Sequence, residues 1–467
     1  MTQRFCLDND GSNFFSHTMT DDVETSIADT IEACPDLVTT YLLCPNRLGQ
    51  FLFPTSIGEV DSTNDRLQNL HAAGVDPFGL FLKALRDAGK ETFVTFRVND
   101  APGSSNHPNR SDLSHQHPEY AVDPAATRND SGDAMDRCLD LTHPEVCDYL
   151  LSLLVELVAR YDFDGLQLDW MRYPRHLSGT AQEVWEKRNC LTEFMASARQ
   201  IAGGDLTLSA RIPATAEGCR RLGIDLEAWG REGLVDMLVA SAFLTTEFHM
   251  PLGSLRSTLR SREIPIYSDI QFDHGLQVHC PESLRAAALG LYASGADGIY
   301  LFNYPCWTEY MASPPYHWLE PLATESSATA KPLLFSVASD HNRLPGLDPA
   351  GQLPLRLPMG DRCDLTLTLP KAALPAARAL LLIDAGGDFT MSVNGKPTRE
   401  ISVLRRAELF VEYILQPDQG ESLRSLNADC RLFRCAPEHL HAGDNAISLF
   451  STSPHDLEIS RLNLGLW

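Results

Sequence analysis

Short apolar runs alternate with amphipathic segments through the first 320 residues of the chain, and clusters of Gly, Pro, Asn and Asp separate them. Short apolar runs predict buried strands, whereas apolar residues at a spacing of three and four predict helices. Strands that alternate with helices in this way predict an α/β fold, a (β/α)8 or TIM barrel, over residues 1–322. The eight predicted strands are Arg4–Asp8, Leu37–Leu43, Thr92–Val98, Gly165–Asp169, Leu206–Ile212, Val235–Ala242, Ile264–Ile270 and Gly298–Phe302.

The pattern changes after the predicted barrel. Residues 323–331 are rich in Ala, Ser and Thr and predict a linker. Beyond them, apolar and polar residues alternate with a period of two between frequent turns, which predicts a smaller all-β sandwich over residues 332–467. The clearest strand-like runs are Leu353–Leu357, Asp364–Leu369, Ala379–Ile383, Phe389–Val393 and Ala446–Phe450.

The fourth predicted strand carries the most informative chemistry. A helix over Pro144–Arg160 precedes it, and the strand ends in Asp169, with Trp170 and Arg172 beside it. In a β/α barrel the catalytic groups lie where the strands end, so Asp169 is expected to be exposed in the mouth. An acid next to an aromatic ring and a cation suits a polar ring such as a sugar. The alternatives are that Asp169 caps the next helix or pairs with Arg172.

The third predicted strand ends in four residues whose side chains alternate between two faces. Arg97 and Asn99 fall on one face and Val98 and Asp100 on the other, so one pair is expected to point into the mouth. An inward arginine and asparagine would orient a carboxylate or a hydroxyl. The alternative is that Arg97 forms a salt bridge across the layers of the barrel.

A long irregular stretch, residues 99–140, follows that strand and is rich in Pro, Ser, Asn, Asp and His. Long loops of this kind are usually functional, so this one is expected on the active face. The histidines of the loop and His143 lack the spacing of a zinc site, and no metal is expected. His143 lies at a helix start, from which its side chain is expected to reach the mouth.

Polar and aromatic residues end the other predicted strands as well. Glu247 follows the sixth strand between Phe243 and Phe248, and Asp269 lies in the seventh. Asp8 and Asp10 at the end of the first strand are expected to bind substrate hydroxyls, with a plain turn or a calcium loop as alternatives. The full predicted lining of the mouth is Asp8, Asp10, Arg97, Asn99, Asp100, His143, Trp170, Arg172, Arg211, Asn303, Tyr304 and Trp307.

Charge and cysteine content limit the environment of the protein. The chain of 467 residues has a formal net charge of −24, which argues against nucleic acid or an anionic membrane as a partner. No signal peptide is expected, and the twelve cysteines are scattered without a CxxC pair. Reduced thiols in a cytoplasmic protein are therefore expected, with a mature secreted form as the alternative. The oligomeric state is left open.

Four segments of the predicted barrel, which include the ends of the third and fourth strands, resemble the glycoside-hydrolase-type TIM barrels, specifically the bacterial glycoside hydrolase family 10-like group. The resemblance departs from typical family 10 enzymes, which use an Asn-Glu pair at the fourth strand and a glutamate at the seventh, where this chain has Asp169 and Asp269. Residues 389–396 also resemble the galactose-binding-like sandwiches appended to such enzymes. The residues that carry the barrel resemblance are Arg97–Asp100, His143–Val146, Asp164–Asp169 and Ala296–Tyr300.

The resemblance implies a glycosidase superfamily member with a carbohydrate substrate. Glycoside hydrolysis needs two carboxyl groups that flank the scissile bond, and no cofactor. Asp169 is the first expected catalytic residue, Glu247 its preferred partner, with a pKa raised by desolvation, and Asp269 the alternate partner. A non-catalytic carbohydrate-binding barrel and a metal-dependent barrel hydrolase are the competing hypotheses.

Overall fold

The predicted barrel is confirmed. The computed structural model describes residues 4–101, 107–129, 131–260, 263–274, 277–310, 312–401, 413–416, 422–425 and 431–467. Eight strands close into a barrel, and each of the eight predicted runs supplies one of them. The strands are β1 (Cys6–Asn9), β2 (Thr40–Leu43), β3 (Glu91–Arg97), β4 (Gly165–Asp169), β5 (Thr207–Pro213), β6 (Met237–Ser241), β7 (Ile266–Ile270) and β8 (Gly298–Phe302).

All neighbouring strands of the barrel are parallel. Closure joins the first strand to the last, because Cys6 in β1 pairs with Thr40 on one side and with Tyr300 on the other. The carboxyl ends of all eight strands therefore meet at one mouth, where side chains far apart in sequence come together.

Helices surround the barrel and follow the predicted amphipathic segments. The longest, Pro144–Arg160, matches its predicted range and buries Leu150, Leu153, Leu154 and Leu157 on one face, because residues three and four apart share a face. Side-chain caps and N-terminal prolines begin several others. The helices are α1 (Val23–Ala33), α2 (Asp65–Ala72), α3 (Pro77–Asp87), α4 (Asp112–Gln116), α5 (Pro124–Asn129), α6 (Pro144–Arg160), α7 (Ala181–Glu186), α8 (Asn189–Ala202), α9 (Ala216–Leu222), α10 (Leu226–Arg231), α11 (Leu252–Leu259), α12 (Pro281–Ala293) and α13 (Glu325–Ala328).

Side chains that point into the barrel form two layers. The lower layer, toward the amino ends of the strands, is apolar and includes Cys6, Leu42, Phe93 and Met237. Gly165 makes room for this layer, because a Cβ atom built there would lie 2.5 Å from the ring of Phe93. The upper layer, toward the mouth, is polar and charged, and it contains the candidate site.

The stretch of residues 99–140 is more ordered than the sequence predicted. It contains α4, α5 and two short 3-10 segments, Pro118–Tyr120 and Ala134–Arg137, although residues 102–106 and 130 lie outside the described part. The Ser111 side chain caps α4 and an Asp133–Asp136 capping box begins the second 3-10 segment. Local capping by Ser and Asp explains the order, because these residues favour helix starts as well as loops.

The C-terminal region is built of antiparallel sheets, as predicted. One six-stranded sheet contains β9 (Leu333–Ser336), β10 (Leu355–Leu357), β12 (Ala379–Ala385), β15 (Arg399–Ile401), β18 (Arg431–Cys435) and β20 (Leu457–Leu466). A four-stranded sheet contains β11 (Arg362–Leu369), β13 (Phe389–Val393), β14 (Lys396–Pro397) and β19 (Gly443–Ser451). A further sheet joins β16 (Tyr413–Gln416) and β17 (Ser422–Ser425) to a barrel hairpin, Asp273–His274 with Gln277–Val278.

The segment predicted as a linker, residues 323–331, contains the one-turn helix α13, which the Thr324 side chain caps. In the described ranges, the cysteines are free thiols. No helix there combines the length and the apolar character that a membrane span requires.

Candidate active site

Arg211 lies at the centre of the polar layer and binds two carboxylates. It is the register neighbour of Asp169 across β4 and β5, and its Nη1 lies 3.2 and 3.1 Å from the two Asp169 oxygens. Its Nη2 donates to Ser241 Oγ at 2.7 Å and to Asp269 Oδ2 at 3.1 Å. The guanidinium lies 3.8 Å above the Phe302 ring, which fixes its plane. One rigid cation therefore holds acids from two strands.

Asp169 ends β4 as predicted, but its carboxylate is not exposed. The residue is 1% exposed, and Oδ1 also accepts the backbone N–H groups of Met171 and Arg172. The expectation of an open carboxylate is wrong, because Arg211 and the turn after β4 cover it. The alternative of pairing with the Arg172 side chain is also wrong, since that guanidinium faces Asp100, with 3.4 Å between Nε and Oδ1.

Asp269 is the second acid on Arg211. Ser241 and Gln271 both donate to its Oδ2, and the residue is completely buried. Burial raises the pKa of Asp269 to about 6, although Arg211 and the donated hydrogen bonds oppose the shift. This carboxyl group can therefore carry or release a proton near neutral pH.

Asp8 forms a chain of hydrogen bonds with Tyr300 and Gln167. The Tyr300 hydroxyl lies 2.5 Å from Asp8 Oδ2 and 2.7 Å from Gln167 Oε1. The Tyr300 hydroxyl has one proton, so it can donate to only one of these two oxygens at a time. Burial raises the pKa of Asp8 to about 7, with the hydrogen bond from Tyr300 opposing and the charge of Asp169 adding to the shift. Asp8 is thus a second acid that titrates near neutral pH.

A second group of charges lies at the rim of the mouth. Arg97 Nη1 lies 2.6 Å from Asp100 Oδ2, and Nη2 lies 3.3 Å from Asp10 Oδ2, to which Asn303 Nδ2 is equally close. Burial acts against ionisation of Asp10, but Arg97 and a hydrogen bond from Ser12 lower its pKa overall. Arg172 completes the group through Asp100, and its side chain, 19% exposed, is the most accessible of these charges.

The face assignment after the third strand is wrong. Arg97 pairs with Asp100 rather than with Asn99, because β3 ends at Arg97 and strict alternation ends with it. Asn99 turns away, donates to the carbonyl oxygens of Leu139 and Arg175, and contacts His176 Nδ1 at 3.0 Å. Its role in the structure is to hold the long loop.

Glu247 lies apart from the Arg211 group. It forms a buried ion pair with Arg343 from the C-terminal β region. Burial raises the pKa of Glu247 to about 7, although Arg343 opposes the shift. The raised pKa agrees with the desolvation argued from the sequence, but the partner is a cation of the second region rather than Asp169.

The aromatic residues expected to line the mouth are packed in the core. Trp170 is fully buried, with ring centroids 5.8 Å from Trp229 and 5.0 Å from His176. Tyr304 donates to the carbonyl oxygen of Pro315, and Trp307 packs edge-on against Phe272. Residues beyond the strand ends turn outward beneath helices and loops, so these rings offer no open stacking face.

His143 is the residue before α6, and its ring lies 5.0 Å from that of Tyr120. It contacts the loop after β3 and none of the side chains on Arg211 is among its described partners. No group of three or more His, Cys, Asp or Glu side chains in the described residues is arranged to hold a metal ion.

Four polar residues of the site were not among the predicted site residues: Gln167, Ser241, Gln271 and Tyr300. Alternation indicated two of them, because Gln167 precedes Asp169 by two positions and Gln271 follows Asp269 by two, on the same face. A polar residue inside an otherwise apolar strand was the usable feature.

Part of the barrel is similar to a known protein family. Residues 18–195 match the family model described as glycosyl hydrolase-like 10, and this range includes Arg97, Asp100 and Asp169. No curated protein matches the chain.

Three solved structures illustrate the similarity. α-L-Fucosidase isoenzyme 2 from Paenibacillus thiaminolyticus is 16% identical with a TM-score of 0.45 over 70% of this chain and 49% of its own, so the chain spans about half of it. The PgaB (BpsB) glycoside hydrolase domain from Bordetella bronchiseptica is 12% identical with a TM-score of 0.43, over 69% of this chain and 99% of its own. The Ostrinia furnacalis Group IV chitinase is 11% identical with a TM-score of 0.39, over 68% and 99%. The resemblance expected from the sequence is confirmed as a similarity: residues 18–195 are similar to the glycosyl hydrolase-like 10 family.

Proposed function

We propose that the protein is a glycoside hydrolase whose catalytic carboxyl groups lie in the upper layer of the barrel. One observation carries this proposal: Arg211 binds Asp169 and Asp269 at the carboxyl ends of their strands. Hydrolysis of a glycosidic bond needs one carboxyl group to protonate the leaving oxygen and another to act as nucleophile or base. The family match of the barrel supports the same class of reaction.

The separation of the two acids is compatible with the mechanism. Asp169 Oδ2 and Asp269 Oδ2 each lie 3.1 Å from a terminal nitrogen of Arg211. Across the fork of a guanidinium, they are therefore at most about 8–9 Å apart. Retaining and inverting enzymes use separations of roughly 5.5 and 6.5–9.5 Å, so a two-carboxyl mechanism fits either outcome.

Asp269 replaces Glu247 as the preferred partner of Asp169. Asp269 and Asp169 bind the same guanidinium, that of Arg211. Glu247 instead forms an ion pair with Arg343. In the proposed mechanism Asp269 is the acid, since burial raises its pKa to about 6, and Asp169, held by Arg211 and two backbone N–H groups, is the nucleophile or base.

Turnover of a panel of aryl glycosides tests the proposal. Asp169→Asn and Asp269→Asn are each expected to abolish turnover, whereas Glu247→Gln keeps a measurable rate. Asp164→Asn is the matched control, because Asp164 precedes the same strand at the opposite end of the barrel, where it accepts the Thr92 N–H at 2.8 Å. Loss of activity in the control, or full activity in both site variants, would contradict the assignment.

A non-catalytic carbohydrate-binding barrel is the second candidate. The observation that favours it is the burial of Asp169 and Asp269, which are 1% and 0% exposed and are bound by a cation. A sugar bound without turnover of any aryl glycoside, and equally by the wild type and Asp269→Asn, would identify this function.

A further inference from the structure

A cavity lies between the barrel and the C-terminal region, apart from the Arg211 group. Its volume is about 160 Å³, and its walls come from the loop after β6 and from β9 and β11. One buried water needs roughly 15 Å³ of cavity volume. The cavity is about ten times larger than that and has room for a small organic molecule. Its polar and aromatic lining includes Glu247, Phe248, His274, Ser336, Gln352 and Thr368.

Two polar side chains in this wall lack hydrogen-bond partners among the described residues. His274 is 4% exposed, and neither Nδ1 nor Nε2 has a partner there. The Ser336 hydroxyl, in a residue 7% exposed, is likewise unpartnered within the described ranges. Burying such groups without a hydrogen-bond partner destabilises the folded state. Both are therefore available to bind a molecule in the cavity.

Neighbouring polar groups are already occupied. The two ring nitrogens of His279, whose ring is 4.6 Å from that of His274, contact Ser283 Oγ and Thr246 Oγ1 at 2.9 Å. Gln352 exchanges two hydrogen bonds with the backbone of Thr366. His274 and Ser336 thus differ from His279 and Gln352, whose polar atoms have hydrogen-bond partners.

The charges of the wall indicate a neutral ligand. Arg343 neutralises the charge of Glu247, so neither side chain is available to bind a charged ligand. Burial and the positive charge of Arg461 lower the pKa of His274 to about 3, so its ring is neutral, with one N–H donor and one acceptor nitrogen. Phe248, with its ring centroid 5.3 Å from that of His274, adds an apolar face.

We propose that this cavity is a binding site for a neutral polyhydroxyl ligand the size of one monosaccharide, with His274 and Ser336 as its polar contacts. One sugar hydroxyl can donate to the acceptor nitrogen of His274 and a second hydroxyl can accept from its N–H, and a sugar also offers a C–H face to Phe248. The inference is independent of the proposed hydrolase activity, since it uses none of the residues bound to Arg211.

Monosaccharide binding to the full-length protein tests the site. D-Glucose, D-galactose, L-fucose and N-acetyl-D-glucosamine are titrated at up to 50 mM, with saturation-transfer NMR and the melting temperature as readouts. At least one sugar is expected to bind and to raise the melting temperature, because a ligand held by both regions favours the folded state. His274→Phe keeps a ring without nitrogens, and it should weaken that binding at least tenfold, as should Ser336→Ala.

Ser451→Ala is the matched control, because Ser451 in β19 is also buried, also lacks a described hydroxyl partner and is not in the cavity wall. It should leave binding unchanged, and so should Asp169→Asn. The proposal is overturned if no sugar binds the wild type, or if binding survives in the His274→Phe/Ser336→Ala double variant. Binding that disappears in Asp169→Asn alone would place the sugar in the barrel and equally overturn it.

Discussion

Asp169 and Arg211 are register neighbours on β4 and β5 and form a buried ion pair, with side-chain exposures of 2% and 1%. A catalytic carboxylate in such a pair also contributes to folding. Asp169→Asn is therefore expected to lower both turnover, on the order of 10²- to 10⁴-fold, and stability, by roughly 2–4 kcal/mol. Aryl glycoside assays and urea unfolding measure the two effects. An unchanged stability would show that Asp269 and Ser241 alone satisfy Arg211.

Asp8 is expected to make stability depend on pH. Its folded pKa of about 7 lies above the ordinary value of 3.8, so between these values the folded state binds more protons than the unfolded state. Stability therefore falls as the pH rises from about 4 to 7 and levels off above. The asparagine in Asp8→Asn cannot titrate, so stability should fall less steeply with pH in this variant. Part of the fall should remain, because the pKa values of Asp269 and Glu247 are raised too.

The measurement for Asp8 is the free energy of unfolding at a series of pH values. Asp22→Asn is the control, because Asp22 is exposed and its pKa is lowered by hydrogen bonds from Thr25 at the start of α1. Its contribution is lost only at acid pH, so this variant should keep the slope between pH 4 and 7. A slope that is the same in all three proteins would contradict the buried titration of Asp8.

Glu247 and Arg343 are expected to couple the barrel to the C-terminal region. Arg343→Leu removes the cation, so the folded pKa of Glu247 rises further above its ordinary value of 4.5, and the loss of stability should be larger at pH 8.5 than at pH 5. Adding Glu247→Gln should recover part of the loss at pH 8.5, with a coupling energy of about 0.5–3 kcal/mol. A double-mutant cycle at both pH values checks this, and additive effects would contradict it.

Gly165 is expected to be indispensable for the lower layer of the barrel. A Cβ atom there would lie 2.5 Å from the buried Phe93 ring, so Gly165→Ala should lower stability by roughly 1–3 kcal/mol. Gly253→Ala in α11 is the matched control, since nothing lies within 4 Å of a Cβ there. It should be neutral or stabilising, as alanine favours helices. Equal melting temperatures for the two variants would contradict this packing.

Deletion of the chain from about residue 325 is expected to give insoluble protein. The barrel loop that carries Glu247 would lose Arg343, and Phe248 would lose Phe335, whose ring centroid is 6.3 Å away. An apolar face and a buried acid would then be exposed together. Expression and fractionation of the truncated chain measure this, and a soluble, folded barrel would show that the C-terminal region is a loosely attached module.

The fold could be predicted because it depends on local patterns. Periodicity located all eight strands, and the α6 helix matched over its whole range, since apolar spacing and an N-terminal proline are visible in the sequence. The place of Asp169 at a strand end was also predicted from the sequence, but its ion pair was not. Arg211 comes 42 residues later, and only the closed barrel brings the two together.

Predictions failed where side chains leave the strands. Trp170 and Asn99 lie one and two residues beyond strand ends, where alternation no longer fixes the direction of a side chain, and both turn away from the mouth. Glu247 was placed on the correct loop, but its partner Arg343 belongs to the other region and no sequence pattern connects them. The polar residues inside strands, such as Gln167, would have been a more reliable guide to the candidate site.

The hydrogen bond between Tyr300 and Asp8 can form only late in synthesis of the chain. The two residues are 292 positions apart, so at about 5–20 residues per second Asp8 leaves the ribosome roughly 15–60 s before its partner exists. Until then Asp8 is an ordinary solvated aspartate, ionised at neutral pH. Once β8 is in place, burial raises its pKa to about 7. Closing the barrel is thus a proton-uptake step, and the pH of the compartment influences how readily a nascent chain completes it.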